Sequence, residues 1–260
     1  MNYQAWVRPV SASLAHCELS FVDRDTPDVS LAVRQHQTYV EALRQLGCIV
    51  HTLPALDAQP DAVFVEDTAI IVDELAVITR PGAESRRAES ASTRQALAAH
   101  MPVVEMCAPA TLDGGDVLRI GRTLFVGQSA RTNADGHAQL ATLVEPLGYD
   151  VVAMQTRDCL HLKSAATEVA EGVVLVQPAW LADEALQRLA SRYRLVEVDP
   201  SEPHAANTVR LGGSVIHPDC FPHTTARLRD LDIQVLTVDV SELQKAEGAV
   251  TCCSLIRRSD

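Results

Sequence analysis

Residues 63–70 read VFVEDTAI, two acids set into an apolar run, and four more segments of similar build follow at nearly constant intervals. They are residues 110–118 (ATLDGGDVL), 160–164 (LHLKS), 205–209 (AANTV) and 248–255 (GAVTCCSL). With Asp67, Asp113, His161, Asn207 and Cys252 as markers, the separations are 46, 48, 46 and 45 residues. A fixed period of this length is the mark of a repeat architecture. The repeated position also supplies acid, acid, base, amide and thiol, the groups that nucleophilic catalysis draws on.

The stretches between these segments alternate regularly. Residues 30–46 carry apolar side chains at helical spacing and stop before Gly47, a common helix terminator. Further helices are predicted over 87–99, 133–147, 180–192 and 224–231, each followed by a short apolar strand at 103–106, 151–154, 195–198 or 233–238. The first helix leads likewise into a strand at 48–53, and residues 117–126 read as a hairpin turning at Gly121. A doubly wound sheet would also give β-α-β, but it needs no polar residue at a fixed place in every unit. Short sheets arranged radially do, because equivalent positions then meet round a common centre. The expected fold is therefore α/β, a five-bladed α/β propeller with pseudo-fivefold repeats, in one domain over 1–260.

Composition narrows the partners. Of 260 residues, 47% are hydrophobic but only 4% aromatic, so the core must be built from Ala, Val, Leu and Ile. A net charge of −12 opposes nucleic-acid backbones and favours a neutral or cationic ligand. The opening MNYQAWVRPV has no basic start with a long apolar core behind it, so no secretory signal is expected. No run approaches the ~20 apolar residues of a membrane span. Seven cysteines, odd in number and scattered except for Cys252 and Cys253, suit reduced thiols and a cytoplasmic location.

Taken singly, each polar marker has an ordinary explanation. A cysteine in a strand is usually a small buried hydrophobe. If residues 248–255 form a strand, Cys252 and Cys253 face opposite ways, one as the candidate nucleophile and the other as core. A thiol attacking at neutral pH needs a base or a lowered pKa, and His161 stands at the equivalent place in another repeat. Asp113 could orient that imidazole, with Gly114 and Gly115 allowing close backbone approach. Asp61, Glu66 and Asp67 crowd one segment and repel unless a cation joins them. A planar guanidinium, permanently charged and bidentate, fits that demand.

Together, VFVED, ITRPGAESRR (78–87), TLDGGDV, SARTN (129–133), LHLKS and GAVTCCSL resemble dimethylarginine dimethylaminohydrolase, of the guanidine-modifying (pentein) superfamily, over nearly the whole chain and in order. The resemblance implies a five-bladed α/β propeller that hydrolyses Nω-methylated arginine to citrulline and dimethylamine or methylamine through a covalent cysteine intermediate, without a metal or other cofactor. It makes Cys252 the nucleophile, His161 the general acid/base and Asp113 its support. Asp67 would hold the substrate guanidinium with Glu66 beside it, Asp61 the α-amino group, and Arg86 and Arg131 the α-carboxylate. Leu19 falls at a lid position and Ala246 at a backbone contact. Some bacterial members carry Glu where this chain has Asp113, one methylene shorter in reach.

Arginine deiminase, the nearest rival, typically places a second guanidinium-binding Asp two residues after its histidine; this chain has Lys163 there. A non-catalytic propeller like the ribosome-associated initiation factor 6 family would need neither the thiol and imidazole nor Arg86 and Arg131. A zinc site from Cys252, Cys253 and His161 has no usual spacing, although inhibitory metal at Cys252 and His161 is compatible with the pair. No membrane or nucleic-acid partner is expected, and the sequence leaves room for a homodimer.

Overall fold

In the computed structural model, which describes residues 2–21 and 25–259, the strands form five sheets of three. One pattern recurs in four of them. Ala69–Ile71 turns back as Ala76–Ile78, the helix Glu89–Ala98 crosses over, and Val103–Glu105 adds in parallel to the middle strand. A parallel neighbour cannot be reached by a tight turn, which is why each unit needs its helix. The same order runs through Val117–Ile120, Thr123–Gln128 and Asp150–Gln155. It recurs in Ala166–Ala170, Val173–Val176 and Arg194–Glu197, and in Val209–Leu211, Ser214–Pro218 and Gln234–Val238. The remaining sheet joins the two ends of the chain. Leu255–Ser259 pairs antiparallel with Asn2–Val7, and Cys48–Thr52 lies parallel on the other side.

Local chemistry explains the element boundaries. Asp28 caps the helix Val29–Gln45 by accepting from Leu31 N at 3.0 Å. That helix buries Ala32, Tyr39, Val40 and Leu43 against Ala5, Val7, Val238 and Val250. Each fully buried aliphatic side chain contributes about 1.5–3 kcal/mol. The Tyr39 hydroxyl meets Ser254 Oγ at 2.7 Å, so the ring is buried without an orphaned polar group. The predicted helix 133–147 is shorter than expected: Asn133 is its cap, it runs Ala134–Val144, and Pro146 tightens the next three residues into a 3-10 turn. Pro178 does the same before the helix Asp183–Ala190, whereas Pro222 suits a first turn and starts the next helix two residues early. Gly121 turns the hairpin between Val117–Ile120 and Thr123–Gln128 at φ +58°.

Every marked segment leads into the outer strand that pairs antiparallel with the middle strand of its sheet. Val65–Thr68, Gly114–Asp116 and Thr251–Cys253 are 3-10 turns, Leu162–Ala165 is one α-helical turn, and Asn207 stands just before Val209–Leu211. The cysteine pair is thus in a 3-10 turn where a strand was expected. Hydrogen bonds join the segments in sequence. Gly115 N donates to Asp67 Oδ1, Leu162 N to Asp116 Oδ1, and Asn207 Nδ2 to Lys163 O, at 3.0, 3.0 and 3.1 Å. Thr251 N then donates to Asn207 Oδ1 at 3.0 Å, and Thr251 Oγ1 returns to Glu66 Oε2 at 2.7 Å. Asn207 therefore ties its neighbours together at the meeting point of the repeats.

This convergence leaves no space for extra atoms. A Cβ on Gly114 would lie 2.0 Å from the carbonyl oxygen of Glu66, a backbone atom fixed by its own turn. Gly114→Ala is expected to lower unfolding free energy by about 1–3 kcal/mol or more, read from urea melts. An unchanged midpoint would contradict the tight contact.

Candidate active site

Cys252 opens onto a narrow pocket whose wall includes Asp61, Asp67, Arg86, Arg131, His161 and Ala246. Cys253, the next residue, is fully buried in the core and its Sγ reaches Ala249 O at 3.4 Å. The division of labour expected of a strand is produced here by the turn Thr251–Cys253.

His161 Nε2 lies 3.1 Å from Asp113 Oδ2, and its Nδ1 lies 3.9 Å from Asp67 Oδ1. Asp113 is fully buried, and its other oxygen accepts from Gly82 N at 2.8 Å. The side chain of Asp is therefore long enough to support this imidazole. Burial disfavours the imidazolium, but the carboxylates of Asp67, Asp113 and Asp116 outweigh it and raise the His161 pKa to about 9. Asp67 is driven the other way. Burial would raise it, yet His161 and Arg86 hold it down at about 2, so it stays ionised. Burial, reinforced by Glu66 and Asp67, pushes the Cys252 thiol up to about 12. Without a ligand the pair is thus thiol and imidazolium.

Arg86, expected on a substrate carboxylate beside Arg131, is placed among acceptors of the protein itself. Nη1 donates to Asp67 Oδ2 at 2.6 Å, Nε and Nη2 take both oxygens of Glu89, and Nη2 also reaches the Phe64 carbonyl at 2.9 Å. A buried guanidinium demands such partners. Arg131 is more open, with Nη2 on Ser20 Oγ at 3.0 Å. Asp61 accepts from Glu18 N at 3.2 Å, and burial raises its pKa to about 6 against the pull of Arg86.

Glu66 and Leu19 do not line the pocket. Glu66 commits one oxygen to Lys163 and the other to Thr251, while Leu19 packs on the core cluster around Tyr39. The pocket wall also holds Glu18 and Glu247, which the sequence reading missed. Glu247 Oε1 accepts from the backbone N–H groups of Ser20 and Phe21, and Glu18 Oε1 accepts from Ser85 Oγ at 2.6 Å. Both therefore tie residues 18–21 to the pocket wall. Asp116, the second acid of LDGGD, was also missed: fully buried, it accepts from Ser129 Oγ, Thr132 Oγ1 and Leu162 N. Its spacing from Asp113 within a conspicuous motif was the available signal.

Asp67, Asp113 and His161 each bring a potential ligand atom within 4.8 Å of the others, but Arg86 already supplies a cation to Asp67. The set Cys252, Cys253 and His161 is not assembled, because Cys253 faces the core. The pocket carries acids at its thiol end and an open arginine on its wall, an arrangement suited to a zwitterion that also bears a cationic side chain.

A thiol, an imidazole and buried acids brought together by five three-stranded α/β units fit the guanidine-modifying, or pentein, class. The family profile described as "N,N dimethylarginine dimethylhydrolase, eukaryotic" matches residues 23–256. The chain is 42% identical to the N(G),N(G)-dimethylarginine dimethylaminohydrolase of Streptomyces coelicolor, over 97% of this chain and 96% of that one. It is 33% identical to the enzyme of the same name from Pseudomonas aeruginosa, over 88% and 89%. A solved structure of the Pseudomonas aeruginosa protein, a cysteine-to-serine mutant complexed with citrulline, superposes with a TM-score of 0.91 at 30% identity, covering 98% of each chain. The protein belongs to the dimethylarginine dimethylaminohydrolase family.

Proposed function

We propose that this protein hydrolyses Nω-methylated arginine, asymmetric dimethylarginine or monomethylarginine, to citrulline and dimethylamine or methylamine. The observation that carries the reading is the shared pocket of Cys252, His161 and Asp67, with Asp113 on the imidazole. Asp67, ionised and with lone pairs still available, receives the substrate guanidinium. Asp61 takes the α-ammonium and Arg131 the α-carboxylate, with the carbonyl of Ala246 as a further contact and Leu19 moving with residues 18–21. Arg86 keeps Asp67 aligned, and Glu66 acts from behind the turn that carries Cys252.

The bound guanidinium adds positive charge beside the thiol and lowers its pKa, so the thiol proton passes to solvent water and the thiolate stands beside the His161 imidazolium. Cys252 Sγ attacks the guanidinium carbon. The tetrahedral adduct collapses as the His161 imidazolium protonates the departing amine, leaving an S-alkylthiouronium on Cys252. Water, giving its proton to the now neutral His161, attacks the same carbon, and loss of the thiolate releases citrulline. The active-site residues alone supply the chemistry.

The five sheets of one order, cross-linked by hydrogen bonds from segment to segment and back to the first, support a five-bladed α/β propeller forming a single catalytic domain over residues 1–260. None of its helices among the described residues is long and apolar enough to cross a membrane. The scattered free cysteines support a cytoplasmic site of action.

Incubation with asymmetric dimethylarginine, monomethylarginine and arginine, followed by citrulline measurement, tests the substrate class. Citrulline from the methylated substrates is expected. Turnover of arginine alone would make the chain a deiminase, and no turnover of any of the three would defeat the proposal.

A further inference from the structure

Lys163 stands two residues after His161, and its ammonium pairs with Glu66 Oε1 where the two side chains are only 15% and 9% exposed. The other Glu66 oxygen accepts from Thr251 Oγ1 at 2.7 Å. Thr251 adjoins Cys252, and its backbone N–H donates to Asn207 Oδ1. Asn207 Nδ2 in turn donates both to Thr251 Oγ1 and to the Lys163 carbonyl, at 3.0 and 3.1 Å. Lys163 is therefore bound through its side chain and its backbone to the turn that presents the thiol.

Two carboxylates from one turn, Glu66 and Asp67, act on Cys252. Asp67 is compensated by Arg86 and His161, and the substrate cation would arrive there too. Glu66 has its two oxygens engaged by Lys163 and Thr251. Among its described side-chain bonds, Lys163 is the cation that neutralises it. Asp61, Glu18, Glu247 and Arg131 complete the charged wall around the thiol.

We propose that Lys163 is a positioning residue for Cys252: it cancels the charge of Glu66 next to the thiol and holds the Thr251–Cys253 turn through Glu66 and Asn207. The proposal rests on Cys252 being the nucleophile of the reaction above. Electrostatics agree, since Glu66 drives the thiol upward in pKa and Lys163 opposes it.

The test compares Lys163→Gln, Lys163→Arg and the double variant Glu66→Gln/Lys163→Gln with wild type. The rate at which iodoacetamide, a neutral reagent, labels the Cys252 peptide is followed at one mildly alkaline pH with the pocket free of substrate. Below the thiol pKa this rate tracks the thiolate fraction. Lys163→Gln is expected to slow labelling about tenfold or more, a shift of roughly one pH unit. It should lower kcat for methylarginine with little change in KM. Lys163→Arg and the double variant should label at near the wild-type rate, the latter because the uncompensated charge is gone. Wild-type labelling in a folded Lys163→Gln protein would overturn the proposal, as would a double variant no faster than the single. If Lys163→Gln does not fold, the double variant decides: wild-type labelling supports the charge role and slow labelling refutes it. Labelling needs no turnover, so failure of wild type to hydrolyse methylarginine would count against the proposed activity and leave this comparison standing.

Discussion

Replacing Cys252 with serine is expected to reduce citrulline formation about 10⁴-fold or more, while Cys253→Ser retains most of it. The hydroxyl of serine is far less acidic than a thiol, and burial together with Glu66 and Asp67 already pushes the Cys252 thiol up to about 12. The neighbouring acids that suit a cationic substrate would oppose a serine alkoxide still more. Cys253 packs among apolar side chains with no exposed surface, so its replacement acts on stability through a buried hydroxyl, not on chemistry. Steady-state kinetics of the two folded variants separate these roles. Activity lost in Cys253→Ser and kept in Cys252→Ser would reverse the assignment.

His161→Gln is expected to lower kcat by about 10²- to 10⁴-fold, because neither proton transfer to the leaving amine nor activation of water then has a donor or acceptor of suitable pKa. The same substitution changes the pH dependence of stability. Folding raises the His161 pKa from 6.5 to about 9, so its contribution is complete below pH 6.5 and is lost as pH rises through about 9. At 1.36 kcal/mol per unit the contribution is on the order of 3 kcal/mol. Urea melts of wild type should therefore lose that much more stability across this window than those of His161→Gln. Parallel pH profiles for the two proteins would show that no imidazolium is held between Asp67 and Asp113.

The repeat was legible because each polar marker stands at the same structural place, just before the outer antiparallel strand of a sheet, and so keeps a period. Asp113, His161 and Cys252 could be grouped from sequence for that reason. The pairing of Asn2–Val7 with Leu255–Ser259 left no trace, since strands at opposite ends of a chain share no local pattern. The turn at Thr251–Cys253 was read as a strand because its residues favour strands locally; a bond from Thr251 to Glu66, 185 residues away, helps hold it as a turn. Arg86 is read from the sequence as a ligand of the substrate carboxylate, and it does line the pocket. Its capture by Glu89, three residues on, and by Asp67 becomes visible only once the helix Glu89–Ala98 is packed. Glu18 and Glu247 carry no periodic mark, as they line the pocket from positions outside the five repeated segments.

The central claim is that the meeting of the five segments makes Cys252 a nucleophile toward a guanidinium carbon. Acid quenching during turnover of asymmetric dimethylarginine, followed by mass analysis of the C-terminal cysteine peptide, tests it most directly. The account predicts a substrate-derived adduct on Cys252, present in wild type and absent from Cys252→Ser. An adduct confined to Cys253, or citrulline released at an undiminished rate by Cys252→Ser, would contradict it.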